Sequence, residues 1–286
     1  MEPYEWMVEW TPQKEWIDRK GMLVWLAEAS SGLGGGLYLV SAYFDLPIVM
    51  FISWLTIILF KGGFHFAYLG HPLRFWRMGL NPRTSWIARG FIFMALFIIF
   101  GAIQLGLSYW LPGTSLEKWF RMMASIMAFL IAINFGFVLS YVNAIPLWNS
   151  GLLPLLFVLF GILDGLAVMI VIGSLGGEGP LETARRGSQL LLIINAFIIT
   201  LYLWSVSYTG NTGKHTVMEV LRGRMAPILW IGVVFCGIVT PLGISVYSYF
   251  TREAYGALLI ATVCEMIGAL SLKYSILKAG IYVPLI

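Results

Sequence analysis

Charge is what this chain has least of. Lysine, arginine, aspartate and glutamate make up 11% of its 286 residues, against 59% hydrophobic residues and a mean hydropathy of +0.84. A soluble domain carries roughly 25% charged residues, so this composition cannot clothe a water-facing globule. Cysteine is almost absent too. The two present, Cys236 and Cys264, both fall in apolar stretches, and an iron–sulfur cluster needs four ligands. Of the three histidines only His65 lies in such a stretch, which excludes a membrane haem held by two histidines and a tetrahedral zinc site. A nucleotide-binding glycine loop is also missing. The "GLGGG" at 32–36 sits in mid-helix, where small residues serve close helix packing. The protein is therefore expected to hold no metal and no haem, and to have no nucleic-acid partner. Its chemistry has to come from polar side chains among the apolar runs, from a diffusible lipid-phase ligand, or from a partner.

What the sequence has in abundance is long apolar runs. Crossing a bilayer takes about 20 consecutive mostly apolar residues, and eight segments qualify, at approximately 21–44, 47–69, 86–109, 119–141, 151–175, 189–209, 226–250 and 254–275. Their near-continuous hydrophobicity lacks the alternation of barrel strands, so lipid forces them into helices. The expected fold class is an all-α integral membrane protein with eight transmembrane helices. Residues 1–20 have no apolar core of a cleavable signal, and their Trp6, Trp10 and Trp16 suit an interfacial or partner-facing segment. Residues 21–286 form the membrane domain, with approximate halves 21–141 and 151–275.

Eight spans put both termini on one side, here called the terminal face. Twelve basic residues fall on that face, Arg74, Arg77, Arg83 and Lys273 among them, and five on the other. The bias places the termini in the cytoplasm, with the protein in the inner membrane. A docking surface for an acidic partner would produce the same bias.

Ionisable groups inside spans are costly, so each is a candidate for function. At about 1.5 Å rise per residue, Glu28 of the first span lies roughly 10 Å beneath the terminal face. His65 and Lys61 of the second span lie at about 6 and 12 Å, and Asn134 of the fourth at about 10 Å. Lys61 and His65 share one side of their helix, with Tyr68 following three residues on. Asp164 and Glu265 lie deeper, at about 20 and 15 Å, where they extend a proton route from the shallower cluster. For Glu265 the alternative is neutralising a buried cation, Lys61 or Lys273; for Lys61, reaching up to the interface. A leaflet-depth hollow with a carboxylate, an imidazole and an amide suits a quinone head group, whose carbonyls accept hydrogen bonds and whose reduction takes up two protons.

Three stretches also carry a resemblance. "AYLGHPLRFWRMGLNPRTSWIARG" (67–90), "NAIPLWNSGLLPLLF" (143–157) and "EMIGALSLKYSILKAGIYVP" (265–284) resemble, in motif and in order, the NrfD/PsrC family of membrane anchors. The resemblance implies two four-helix bundles and a cofactor-free subunit that binds quinone, menaquinone ahead of ubiquinone. It also implies a ferredoxin-like partner with four iron–sulfur clusters, joined to a molybdopterin catalytic subunit or to multihaem cytochromes. Aligned through "PLWN", Asn134 takes the place of a quinone-pocket tyrosine of the family, and Glu28 lies near the family's polar positions of the first helix. Tyr68 stands where many relatives have His or Asp, and His71 where Arg or Lys is usual. Glu28, His65, Asn134, Lys61 and Tyr68 are thus the expected quinone-binding residues, Asp164 and Glu265 the proton-transfer residues, and Arg74, Arg77 and Arg83 the docking cations. A faint repeat links Gly32, Gly36 and Leu37 to Gly161, Gly165 and Leu166. The rival reading is a secondary transporter or ion-translocating protein using Asp164, Glu265 and Lys61 as its path.

Overall fold

A computed structural model describes residues 10–174, 181–248 and 255–284. Among these described residues nine helices follow one another. They are α1 (Gly21–Tyr43), α2 (Pro47–Tyr68), α3 (Trp86–Trp110), α4 (Ser115–Ser140), α5 (Leu152–Ser174), α6 (Leu181–Ser207), α7 (Asn211–Arg222), α8 (Ile228–Tyr247) and α9 (Tyr255–Lys278). All but α7 are long and apolar enough to cross a membrane, so the protein is a multi-pass membrane protein of eight spans. Helix α7 is short and amphipathic, and it lies between two spans at the terminal face. Trp6 of the N-terminal segment lies outside the described residues.

The two ends of the described protein do meet on one face. Pro12 bridges to Ile281, Gln13 N–H donates to the Gly280 carbonyl at 2.7 Å, and Val283 N–H to the Ala144 carbonyl at 2.8 Å. The tryptophans before α1 are spent on the protein itself. Trp16 packs against Phe135 and Trp148, and Trp10 stacks on His215 with ring centroids 4.5 Å apart.

Two spans begin earlier than hydropathy alone places them. Helix α4 starts at Ser115 rather than near 119, because Thr114 caps it and the charges of its first turns are satisfied internally. Glu117 accepts from Arg121 at 2.6 Å and from Gln104 at 3.2 Å, Tyr38 donates to Gln104 at 3.0 Å, and Arg121 also pairs with Asp45 at 2.6 Å. Helix α6 starts at Leu181 rather than near 189, with Glu182 and Arg186 paired at i, i+4. Helix α9 runs on to Lys278 rather than stopping near 275.

The faint repeat turns out to be a contact. Gly32 and Gly36 of α1 face Gly161 and Gly165 of α5, and Leu37 and Leu166 share one apolar cluster beside them. A Cβ on Gly36 would overlap the Gly161 carbonyl, and one on Gly161 would stand 2.6 Å from the Gly32 carbonyl oxygen. Only glycine allows this approach. Through it α1, which also packs on α2 and α4, is held against α5.

Candidate functional site

Helix α2 departs from α-helical winding at Ile57–Gly62, where a π-helical turn widens the coil. Such turns add a residue and re-aim the side chains around them. The turn is clamped to α1. Ser53 Oγ donates to the Gly34 carbonyl at 2.5 Å, and a Cβ on Gly34 would come within 2.6 Å of the Ile57 side chain. Lys61 is thereby aimed into α1, and its ammonium bonds both oxygens of the Glu28 carboxylate at 3.1 Å. One turn on, His65 Nε2 stands 3.3 Å from Glu28 Oε1, while its Nδ1 faces the Lys61 carbonyl at 3.0 Å. The carboxylate and the ammonium are buried, at 5% and 7% side-chain exposure, but the imidazole is 32% exposed. The result is an ion pair sealed from its surroundings with a histidine as its accessible edge. Both ring nitrogens of His65 face oxygens, so a proton arriving there has an acceptor on either side.

A second cation reaches the same place from the far end of the sequence. Lys273 of α9, expected at the terminal face, is instead 2% exposed. Its ammonium donates to the backbone carbonyl of Glu28 at 2.9 Å and lies 5.7 Å from the centre of the Phe157 ring. Gly32 makes the room, since a Cβ there would stand 2.5 Å from that nitrogen. Lys273 interacts electrostatically with Asp164 of α5, and Asp164 with Glu265 of α9. The inner carboxylates are buried at 4% exposure each, and among the described residues Asp164 Oδ1 and Glu265 Oε2 have no hydrogen-bond partner. Glu265 Oε1 accepts from Ser188 at 3.3 Å. Glu265 therefore does not neutralise Lys61, whose partner is Glu28. Beside Glu265 a cavity of about 30 Å³, bordered by Arg185, Ser188 and Ser245, has room for a water.

The other expected residues fall into place less completely. Asn134 is at the anticipated level. It lies three residues beyond Ile131, whose carbonyl accepts from Ser31, and Ser31 lies three residues beyond Glu28 on an antiparallel helix. Its amide sits against Gly90, 7% exposed, with Oδ1 lacking a partner among the described residues and no hydrogen bond to the Glu28 group. Tyr68 is half-buried against the main apolar cluster and likewise makes no bond to that group. Arg74 and Arg77, in the 3₁₀ turn Pro72–Gly79, and Arg83 after it are exposed, with no carboxylate partner among the described residues. Arg89 is different. It donates to the Pro82 and Arg83 carbonyls at 2.7 and 2.8 Å and so holds that loop in shape.

The contact of Lys273 with Glu28 is what sequence reasoning missed. The lysine's position near the end of α9 reads as interfacial, and 245 residues separate it from the carbonyl it binds. Its signal was the glycine pair opposite.

Residues 47–284 match the family described as polysulphide reductase, NrfD. Among curated proteins, the C subunit of polysulfide reductase from Wolinella succinogenes is 27% identical over 54% of the present sequence and 52% of its own length. An NrfD homolog of Haemophilus influenzae is 24% identical over 54% of the present sequence and 50% of its own length. NrfD of Escherichia coli is 24% identical over 74% and 76%. The matches thus span about half the length of the first two relatives and three quarters of the third.

Proposed function

The chain belongs to the NrfD, polysulphide reductase, family, and on that premise we propose that it is the quinone-reactive membrane subunit of a respiratory oxidoreductase complex. The observation that carries this reading is the buried Glu28–Lys61–His65 group, open to its surroundings only at the imidazole, in the leaflet beneath the terminal face.

The residues present fit a quinone head group. Its carbonyls need a donor and the hydroxyls of the reduced form an acceptor, and the exposed His65 ring can be either; Lys61 and Glu28 stand behind it as its charged support, and the Asn134 amide, with its unpartnered Oδ1, lies at the same level. When bound, the quinone supplies two-electron, two-proton redox chemistry. His65 then takes up or releases a proton at Nε2, and the Glu28 carboxylate 3.3 Å away stabilises the protonated ring. Lys61 keeps the carboxylate oriented and its charge compensated in a low-dielectric site. Tyr68 borders the approach from the terminal face.

Electrons leave or enter through a partner, since the sequence has too few cysteines and histidines for a cluster or haem of its own. An iron–sulfur subunit of the ferredoxin-like, four-cluster kind suits that role, with a molybdopterin subunit or multihaem cytochrome beyond it. The exposed Arg74, Arg77 and Arg83 are the docking cations. Menaquinone is preferred to ubiquinone, and the charge bias puts the termini in the cytoplasm of an inner-membrane protein. Asp164 and Glu265 serve proton transfer, and Lys273 connects them to the backbone of Glu28.

The test is quinol-linked turnover in the assembled complex. Glu28→Gln and His65→Ala are expected to abolish it while the subunits still copurify. Wild-type quinone kinetics in both variants would refute the assignment.

A further inference from the structure

A cavity lies away from the Glu28 group, in a wedge between α6, α7 and α8. It measures about 600 Å³, inside the roughly 300–1,000 Å³ of ligand pockets. Ala196, Leu203 and Trp204 of α6, Val217 of α7, and Trp230 and Ile238 of α8 form its walls. From Ala196 to Ser207 its α6 wall rises roughly 16 Å, close to one leaflet of a hydrocarbon core about 30 Å thick.

We propose that this wedge binds one anionic phospholipid, with an acyl tail along α6 and the phosphate at Lys214. Three observations converge on that occupant. Below Lys214 the side-chain polar hydrogens of the wall are already spent. Thr200 donates to the Ala196 carbonyl at 2.9 Å, Ser207 to that of Trp204 at 2.6 Å, and the indoles of Trp204 and Trp230 to Tyr208 and to the Leu221 carbonyl. Below Lys214 a quinone head would find no side-chain donor for its carbonyls, whereas hydrocarbon needs none. The rim, by contrast, carries a cation. Lys214, on the first turn of the interfacial helix α7, is exposed and has no carboxylate partner among the described residues. Trp204 and Trp230, 60% and 52% exposed, flank the wedge as tryptophans do at the headgroup level. The inference does not rest on the quinone reading.

Native mass spectrometry of the purified complex, exchanged into micelles containing phosphatidylglycerol or phosphatidylcholine, tests it. The wild type is expected to retain one phosphatidylglycerol about fivefold more tightly than phosphatidylcholine, the gain one lysine gives near an anionic headgroup. Lys214→Gln should abolish that preference and leave quinol turnover unchanged. Leu203→Trp, which fills the wedge, should remove both lipids, with Ala196→Phe as the second filling variant if the first misfolds. Equal retention of the two lipids by the wild type, a preference that survives Lys214→Gln, or lipid retained by both filling variants would overturn the proposal.

Discussion

Lys61→Met tests whether Glu28 and Lys61 form one buried unit. Methionine keeps the length of the lysine stem and removes its charge, leaving the Glu28 carboxylate, 5% exposed, without the ammonium that bonds both its oxygens. Breaking a buried pair from one side costs about 3–5 kcal/mol. His65, 3.3 Å from the same carboxylate, can take over part of the compensation, so the lower end, about 3 kcal/mol, is expected. Replacing both members should be far milder, because a buried ion pair exchanged for uncharged groups of similar size is often close to neutral. Glu28→Gln with Lys61→Met should therefore regain about 2 kcal/mol relative to Lys61→Met alone. Unfolding of the purified protein in mixed detergent micelles measures all four corners of the cycle. Quinol turnover, in contrast, should stay lost in the restored double variant, which separates the scaffold from the site. Additive effects, or a Lys61→Met protein as stable as the wild type, would refute the pairing.

Three other perturbations follow. Gly36→Val drives a side chain into the Gly161 carbonyl and should cost at least the 1–3 kcal/mol or so of an overpacked core, seen as loss of membrane-inserted protein or a lowered thermal midpoint. Lys273→Met should slow proton uptake coupled to quinone reduction while leaving the quinone KM within about twofold, an order-of-magnitude expectation for a group that acts through the Glu28 backbone rather than on the ligand; stopped-flow dye measurements read it, and a KM defect without a proton defect would contradict it. Reversing Arg74, Arg77 and Arg83 to Glu should weaken copurification of the electron-transfer partner in a salt-dependent way, slowing association about tenfold or more at low ionic strength.

The sequence made the membrane architecture legible because a span is a one-dimensional signal: some twenty apolar residues, whichever way they face. It blurred the starts of α4 and α6, where Glu117 and Glu182 look like loop residues until their partners are seen. Depth was legible too, since Glu28, His65 and Asn134 were set on one level by counting along helices. Direction was not. Nothing in "LTIILFKGGF" announces the π-helical turn that points Lys61 at Glu28, and counting could not tell that Asn134 faces Gly90 rather than the carboxylate. Lys273 was hidden for a related reason. A lysine near a helix end normally reaches for water, but the gap opposite Gly32, the Glu28 carbonyl and the Asp164 carboxylate draw this one inward.

The most direct test of a quinone at the Glu28 group is photoaffinity labelling of the intact complex with an azido-quinone, followed by peptide mapping. Adducts within residues 25–31 or 58–68 that disappear with excess native quinone are the predicted result. Competable adducts confined to α6 and α8, with none on α1 or α2, would contradict it.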